Sequence, residues 1–311
     1  MKLNRIEDIL SPLSTPETST VIVDQDSDTQ TSLQEQFYDE ILMFEDILCE
    51  NEVEPDECKK KVLARELALI EHLQVRFDFK GLITGDKERQ QLKKTILDEL
   101  IYFTVPKSDD DIRIGIGGCK PRNRVRYNRK AIILLGLPAS GKSTVAQVMS
   151  DMQGAYIVDS DFAKRKFPEL AFPNGASWTH DESDDLVHEK NDGVLARCLK
   201  DDANMVIPKV GAKVESIRNV YQILRSCNYD VSLGLVWLEP KKALQRAIKR
   251  YQKSKRYVPI LKIIEDDIAP QQVFKQLVQE LELDSYVHLS SDVELGEPCH
   301  IIDMSSDCIW W

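Results

Sequence analysis

The sequence lacks several features that would place it outside the cytosol. No apolar run approaches the roughly 18 residues that a membrane-spanning helix needs. The first residues lack the apolar core of a secretory signal peptide. The seven cysteines are scattered, odd in number and never form a Cys-x-x-Cys pair, which indicates reduced thiols rather than a disulfide framework. We therefore expect a cytoplasmic protein with no membrane partner.

The charge of the chain is unevenly distributed. The formal net charge of −11 argues against a general nucleic-acid binder, although it leaves room for a local basic site. Between Glu35 and Glu57 there are acids but neither lysine nor arginine, whereas from Arg113 to Lys130 there is no acid. A nucleic-acid partner is therefore not favoured, and any such site is expected in the second stretch.

A length of 311 residues predicts about two domains. Residues 1–32 are expected to form a flexible lead-in, because their larger part is rich in Ser, Thr, Asp and Pro. Residues 33–104 are expected to form a helical N-terminal domain, residues 105–129 a linker with a basic segment, and residues 130–311 the main domain. The apolar stripes that predict three helices run over residues 33–48, 63–77 and 92–103.

A phosphate-binding P-loop organises the main domain. An apolar run is followed by Gly-x-x-x-x-Gly-Lys-Ser and then by a helical pattern. Two glycines allow the backbone amides to approach phosphate oxygens, while Lys142 supplies a point charge and Ser143 a hydroxyl ligand for Mg²⁺. We therefore expect ATP or GTP with Mg²⁺ as cofactors. The predicted nucleotide-binding residues are Gly136, Leu137, Pro138, Ala139, Ser140, Gly141, Lys142, Ser143 and Thr144.

Strand and helix patterns alternate from Lys130 onward, which predicts an α/β fold: a P-loop NTPase-type parallel sheet with helices on both faces, preceded by the small helical domain. The predicted strands are Ala131–Leu135, Tyr156–Asp159, Met205–Ile207, Val231–Leu238 and Tyr286–Leu289. The predicted helices are Ser143–Met152, Asp184–Lys200, Val214–Cys227, Pro240–Ser254 and Pro270–Leu283.

Two carboxylates end the second predicted strand. An acid at this strand end would face the γ-phosphate, where it could accept a proton from a substrate hydroxyl or hold Mg²⁺ through water. With a period of two, Asp159 and Asp161 would share one side, so that one could face the metal and the other the acceptor, with Asp159 a candidate substrate-binding residue. The alternative is a helix N-cap followed by a loop acid.

Three arginines follow the fourth predicted strand. Arg246 and Arg250 lie one helical turn apart, and Arg256 belongs to a predicted lid. Guanidinium groups can clamp a migrating phosphoryl group, although a solvated cationic face is the alternative. We predict that Arg246 binds the substrate. A polar cluster that includes His188 and Asp192 could shape the acceptor pocket.

The basic segment has an alternating pattern. Arg122, Arg124 and Arg126 would lie on one face of an extended chain, with Tyr127 interleaved. This face could hold a nucleotide or nucleic-acid phosphate. The alternative is a basic connector that pairs with the acidic helices.

Taken together, the motifs resemble the zeta-toxin family of P-loop kinases over residues 130–289. The resemblance is carried by the P-loop, by Val158–Phe162 with Pro168, by Asn204–Ile207, by Lys249–Tyr251 and by Arg256–Pro259. It implies phosphorylation of a hydroxyl of a nucleotide-linked sugar, UDP-N-acetylglucosamine in the toxins, by ATP or GTP.

The resemblance also implies roles for single residues. Asp161 would be the catalytic base, Lys142 the phosphate ligand, and Arg250 and Arg256 the charge stabilisers, while Asp192 falls near the acceptor-binding glutamate of the family. One departure concerns the stretch after the third strand, where the toxins carry an acid, a glycine and a threonine. Here the residues are Pro208–Gly211, which puts the acceptor sugar in doubt.

Toxins of this family are blocked by a small helical antitoxin, so the N-terminal helices are hypothesised to dock on the kinase domain within the same chain. Two other functions stay open from the sequence. One is a polynucleotide or RNA-end kinase that uses the basic segment. The other is a nucleotide-binding regulatory protein with an eroded acceptor site.

Overall fold

The computed structural model describes residues 85–171, 175–188, 192–254, 258, 262–263, 266–294 and 296–311. The predicted lead-in, the first two helical stripes and Arg256, with most of its lid segment, lie outside these residues. None of the helices in the described part of the chain is long and apolar enough to cross a membrane.

The described residues form one six-stranded sheet. Its strands are β1 (Lys130–Leu135), β2 (Tyr156–Ile157), β3 (Met205–Pro208), β4 (Asp230–Trp237), β5 (Ser285–Ser290) and β6 (His300–Met304). The spatial order is β2-β3-β1-β4-β5-β6, and every pair is parallel except β5 with β6. The predicted parallel sheet is confirmed, and the structure adds an antiparallel edge strand that the sequence analysis missed.

Helices connect the strands. They are α1 (Asp86–Tyr102), α2 (Lys142–Gln153), α3 (Ser160–Lys164), α4 (Gly175–Trp178), α5 (His180–His188), α6 (Val194–Lys200), α7 (Val214–Ser226), α8 (Pro240–Ser254) and α9 (Ala269–Glu280). The single helix predicted over Asp184–Lys200 is wrong, because α5 ends at His188 and α6 starts anew with Gly193 as its N-cap.

Strand β1 is buried at the centre of the sheet and pairs with a strand on each side. All five residues from Ala131 to Leu135 are at most 1% exposed, as expected for a strand covered on both faces. Ile133 pairs with Ile207 of β3 on one side and with Leu233 of β4 on the other. Strand β1 lies between β3 and β4. In open α/β sheets, ligands bind beyond the carboxyl ends of the central strands, so the carboxyl end of β1 marks the expected binding position.

Helix α1 is the third of the predicted N-terminal helices. Its first turn carries Asp86 and Glu88, which suit the positive end of the helix dipole. Ile96 and Leu100 are fully buried in the same core as the sheet. Helix α1 therefore packs on the α/β core, although the sequence analysis grouped it with the helices before it.

The segment 105–129, expected as a linker, is packed against this core as well. Val105, Ile112 and Cys119 are at most 4% exposed. The Cys119 carbonyl accepts a hydrogen bond of 2.9 Å from the Ile157 amide of β2. The segment thus runs alongside the sheet.

Candidate active site

The P-loop connects β1 to α2 at the carboxyl edge of the sheet. A Cβ atom on Gly136 would lie 2.5 Å from the Val236 carbonyl oxygen, so a larger residue does not fit there. Gly141 is the N-cap of α2 with φ 90°, a conformation that favours glycine. Helix α2 starts at Lys142, so its positive dipole end and unpaired amides are available to an anion at the loop.

Lys142 reaches back over the loop. Its Nζ donates hydrogen bonds to the carbonyl oxygens of Gly136 at 2.5 Å and Leu137 at 2.7 Å. The ammonium group is therefore held at the mouth of the loop, where a phosphate would bind.

A second loop supports the P-loop from the side. Ser291 Oγ donates to the Ser140 carbonyl at 2.6 Å, and Arg246 donates to the carbonyls of Ser291 at 2.7 Å and Val293 at 3.2 Å. Arg246, predicted to lie on the substrate side, is thus connected to the P-loop through Ser291. Its guanidinium fixes the loop that follows β5.

The two acids after β2 do not share a strand face, which corrects the sequence analysis. The strand ends at Ile157, and Asp159 is the N-cap of α3, accepting a 2.9 Å hydrogen bond from the Asp161 amide. Asp161 lies in the first turn of α3, is 43% exposed at its side chain and contacts Lys164 Nζ at 3.0 Å. Asp159 therefore orients the helix that presents Asp161.

Lys209 directly follows β3, within the stretch Pro208–Gly211 that departs from the toxin pattern. Its amide donates to the Leu134 carbonyl, which places it beside the end of β1. Its Nζ lies 3.0 Å from His188 Nε2, while His188 Nδ1 lies 3.0 Å from Asp184 Oδ1. Ser160 Oγ also donates to Asp184 Oδ1, at 2.9 Å.

These contacts join three side chains into one network. The hydrogen bond from His188 holds the pKa of Asp184 well below its usual range, so this carboxylate stays ionised. Burial lowers the pKa of the Lys209 ammonium, against the opposing pull of the nearby Asp184 and Asp159. His188 lies between the other two, with Nδ1 toward Asp184 and Nε2 toward Lys209. The three side chains therefore form a Lys–His–Asp chain beside the end of β1.

Arg250 is engaged by acids that the sequence analysis did not consider. Its Nη2 donates to Asp109 Oδ1 at 3.0 Å and to Asp110 Oδ1 at 2.6 Å. Asp109 also accepts from Arg165 Nη2 at 2.6 Å, and the side chains of Arg165 and Asp109 are 4% and 12% exposed. Asp109 thus joins α8, which carries Arg250, to the residue that follows α3.

The other predicted residues are distributed as follows. Leu137, Pro138, Ala139, Ser140, Ser143 and Thr144 lie in the loop and the first turn of α2. Asp192 is exposed in the turn before α6, and its acceptor role stays a prediction. Sequence reasoning missed Asp109, Arg165 and Ser291, while it noted Lys209 only as a departure from the toxin pattern.

The donor set suits Mg²⁺. The described residues contain no group of three or more His, Cys, Asp or Glu side chains that could hold a metal ion by themselves. Mg²⁺ usually needs less from the protein, because it keeps several waters and takes one or two side-chain oxygens together with substrate phosphates. Ser143 in the first turn of α2 and the carboxylates of Asp159 and Asp161 supply such oxygens.

Comparisons with known proteins find a P-loop family model and solved structures with a similar fold. A family model described as an AAA domain matches residues 132–263, which include the P-loop and both acids. A chain from the PezAT chromosomal toxin–antitoxin system of Streptococcus pneumoniae is 16% identical, with a TM-score of 0.50, and the match covers 72% of this chain and 85% of that one. No curated protein matches the sequence.

Two further solved structures are similar. The complex of AvrRxo1-ORF1 and ORF2 with ATP is 17% identical with a TM-score of 0.45, over 70% of this chain and 67% of that one. A gluconokinase from Sinorhizobium meliloti 1021 is 14% identical with a TM-score of 0.32, over 56% and 86%. Because both TM-scores lie below 0.5, we base no argument on these two structures. The likeness to the PezAT chain confirms the resemblance at the level of the fold.

Proposed function

We propose that the protein is an ATP- or GTP-dependent kinase of the zeta-toxin type. It transfers the γ-phosphate to a hydroxyl of a small nucleotide-linked acceptor such as UDP-N-acetylglucosamine. The observation that carries this proposal is the placement of Lys142 and Asp161 at the same edge of the sheet, at the ends of β1 and β2. The family model and the fold of the PezAT chain support it.

The side chains have separate tasks in this reaction. Lys142 and the start of α2 bind the β- and γ-phosphates. Asp161 accepts the proton of the acceptor hydroxyl as its oxygen forms a bond to the γ-phosphorus and the bond to the β-phosphate oxygen breaks, which releases the nucleoside diphosphate. Bound Mg²⁺ would neutralise charge on the phosphates, held by the Ser143 hydroxyl and the nearby carboxylates.

The arginines act on the transferred group. Asp109 and Asp110 hold the Arg250 guanidinium, and α8 carries it beside the cleft; Arg256 is proposed to complete the clamp. Their charges stabilise the developing negative charge on the phosphoryl oxygens. Arg246 acts through Ser291 on the P-loop and so on the position of the nucleotide.

The acceptor is proposed as a class because the stretch after β3, Pro208–Gly211, departs from the toxin pattern. The Lys209–His188–Asp184 chain is proposed to lie beside the acceptor, and Asp159 and Asp192 are proposed to line the acceptor side. A stretch without the acid and the hydroxyl of the toxins changes which polar groups of a sugar can be bound. UDP-N-acetylglucosamine is therefore the first candidate in a panel rather than a fixed substrate.

Replacing Asp161 with asparagine tests the proposed base. We expect Asp161→Asn to lower the rate of transfer from labelled ATP roughly 10²- to 10⁴-fold, the range that proton transfer contributes to such reactions. The affinity for ATP should change little, because Lys142 and the loop remain. The assay uses a panel of sugar nucleotides, nucleosides and RNA ends, and the exposed Asp185→Asn on α5 is the matched control.

An Asp161→Asn protein that transfers phosphate at the normal rate would show that another group is the base. If the wild-type protein binds ATP but phosphorylates no acceptor in the panel, the regulatory alternative is favoured instead. The sequence feature behind this alternative is the stretch Pro208–Gly211, which departs from the toxin pattern.

Removing residues 1–84, which include the first two predicted helices, tests whether this part of the chain limits the kinase. The acidic stretch Glu35–Glu57 is proposed to compete with the triphosphate for the cations of the cleft. Deletion of residues 1–84 is expected to raise kcat/KM for ATP several-fold. The deletion stops there because Ile96 and Leu100 of α1 belong to the core. Deletion of residues 1–32 is the control, and equal rates for all three proteins would refute the proposal.

A further inference from the structure

The basic segment forms a strap across the edge of the sheet where the strands begin. We call residues 120–129 the basic strap. The Arg126 amide donates to the Gly154 carbonyl at 2.9 Å, and the Arg126 carbonyl accepts from the Asn204 amide at 2.9 Å. Gly154 lies two residues before β2 and Asn204 directly precedes β3, while the strap itself runs into β1. The strap is therefore hydrogen-bonded to the residues before β2 and β3 and is continuous with β1.

The Asn204 side chain reinforces this attachment. Its Oδ1 accepts from the amides of Asn128 at 3.1 Å and Lys130 at 3.2 Å, and its Nδ2 donates to the Gln153 carbonyl at 2.9 Å. Gly154 adopts φ 55°, and a Cβ atom there would lie 2.2 Å from the Arg124 carbonyl oxygen. The backbone of the strap is thus held against the starts of the strands, which sets where its side chains leave the backbone.

Arg124 and Arg126 of the strap form no ion pair within the part of the chain that the structure describes. Both are exposed on either side of the buried Val125, although the predicted alternation does not hold for the rest of the segment, where neighbouring residues are exposed as well. Arg122 pairs with Asp151. Exposed guanidinium groups that have no acidic partner among the described residues can bind an anion.

A cavity of about 590 Å³ opens between the strap and the end of α2. Arg124 and Arg126 line it together with Asn123, Tyr127 and Asn128, and the one acid of the lining, Asp151, is paired with Arg122. Tyr127 is 60% exposed, so its ring face is open to a stacking partner. The volume lies within the range of small-molecule pockets. Cations, amide groups and an exposed aromatic ring are the groups that bind single-stranded nucleotides.

This cavity is separate from the active site. The strands β1, β2 and β3 are parallel, so the strap lies where they begin and the P-loop where β1 ends. The six residues of β1 at about 3.3 Å each put roughly 20 Å between the two. A nucleotide bound by the strap is therefore too distant to be the acceptor at Asp161, which weakens the RNA-end kinase alternative as far as it relies on these arginines.

We propose that the basic strap is a second nucleotide-binding site, in which Arg124 and Arg126 bind a phosphate and Tyr127 stacks on the base. The ligand is a nucleoside phosphate, either free or as a unit of single-stranded RNA. The site is independent of phosphoryl transfer.

Binding of a fluorescein-labelled decauridylate to the full chain, followed by anisotropy, tests the proposal. Arg124→Ala and Arg126→Ala should each weaken binding roughly tenfold and lower the slope of log K against log salt by about one. Tyr127→Ala should weaken binding roughly 5- to 100-fold, whereas Tyr127→Phe should retain it. The matched control is Arg197→Ala, which removes one exposed charge already paired with Asp201.

Further measurements distinguish the basic strap from the active site, and free nucleotides from RNA as its ligand. Lys142→Ala should leave oligonucleotide binding unchanged, and the strap variants should leave phosphoryl transfer unchanged. Competition by uridine monophosphate assigns the site to free nucleotides, and binding of the oligonucleotide alone assigns it to RNA. The proposal is overturned if neither probe binds the wild-type protein, if Arg124→Ala and Arg126→Ala bind normally, or if Lys142→Ala abolishes binding.

Discussion

Lys142→Ala is expected to weaken ATP binding by about 10- to 150-fold and to abolish phosphoryl transfer. The lost group makes charge-assisted hydrogen bonds, each worth about 1.5–3 kcal/mol. In the structure Lys142 Nζ donates hydrogen bonds to the carbonyl oxygens of Gly136 and Leu137. A phosphate offers this ammonium group a full negative charge instead. Titration with a fluorescent ATP analogue measures the affinity.

The control for this prediction removes a lysine elsewhere. Lys241→Ala changes the net charge equally from the exposed first turn of α8. Circular dichroism establishes that Lys142→Ala stays folded. Wild-type affinity in a folded Lys142→Ala protein would mean that the loop does not bind the triphosphate, and the nucleotide-binding assignment would be lost with it.

Lys166→Met is expected to destabilise the protein by about 3–5 kcal/mol, the usual cost of breaking a buried ion pair. The Lys166 side chain is fully buried, and its Nζ donates to Glu99 Oε2 at 2.6 Å. It also donates to the carbonyls of Arg113 at 2.9 Å and Ile116 at 3.0 Å. Methionine fills the space but leaves a buried carboxylate and two carbonyls without this donor. Urea unfolding measures the loss.

A double-mutant cycle tests the cause of this loss. Glu99→Gln removes the uncompensated charge, so the pair Lys166→Met with Glu99→Gln should be more stable than the sum of the single effects predicts. The exposed Lys200→Met on α6 is expected to change the free energy of unfolding by less than about 0.5 kcal/mol. Additive single effects would show that the two side chains do not interact.

The sequence alone predicted those parts of the fold that local signals determine. The strand, loop and helix around Gly136 and Lys142 are where they were predicted, because the glycine spacing and apolar run are local and specific. Helix α8 has the predicted bounds for the same reason. The edge strand β6 escaped prediction because all five of its residues are exposed and it carries no buried stripe.

The details of the site depended on contacts that one sequence does not reveal. Asp109 and Arg250 are 141 positions apart, and Arg165 is 56 positions from Asp109. Lys209 and His188 meet only because β3 and α5 end at the same side of the sheet. A single-strand periodicity argument likewise placed Asp159 and Asp161 on one face, whereas capping of α3 by Asp159 decided the local geometry.

Asp109 accepts hydrogen bonds from two arginines that lie on different elements. Arg165 directly follows α3, the helix that presents Asp161, and Arg250 lies on α8. The two contacts are 2.6 Å and 3.0 Å long, so a large displacement of α8 relative to α3 would stretch one of them beyond hydrogen-bonding distance. The shared carboxylate therefore couples the positions of the two helices, and we expect α3 and α8 to move together.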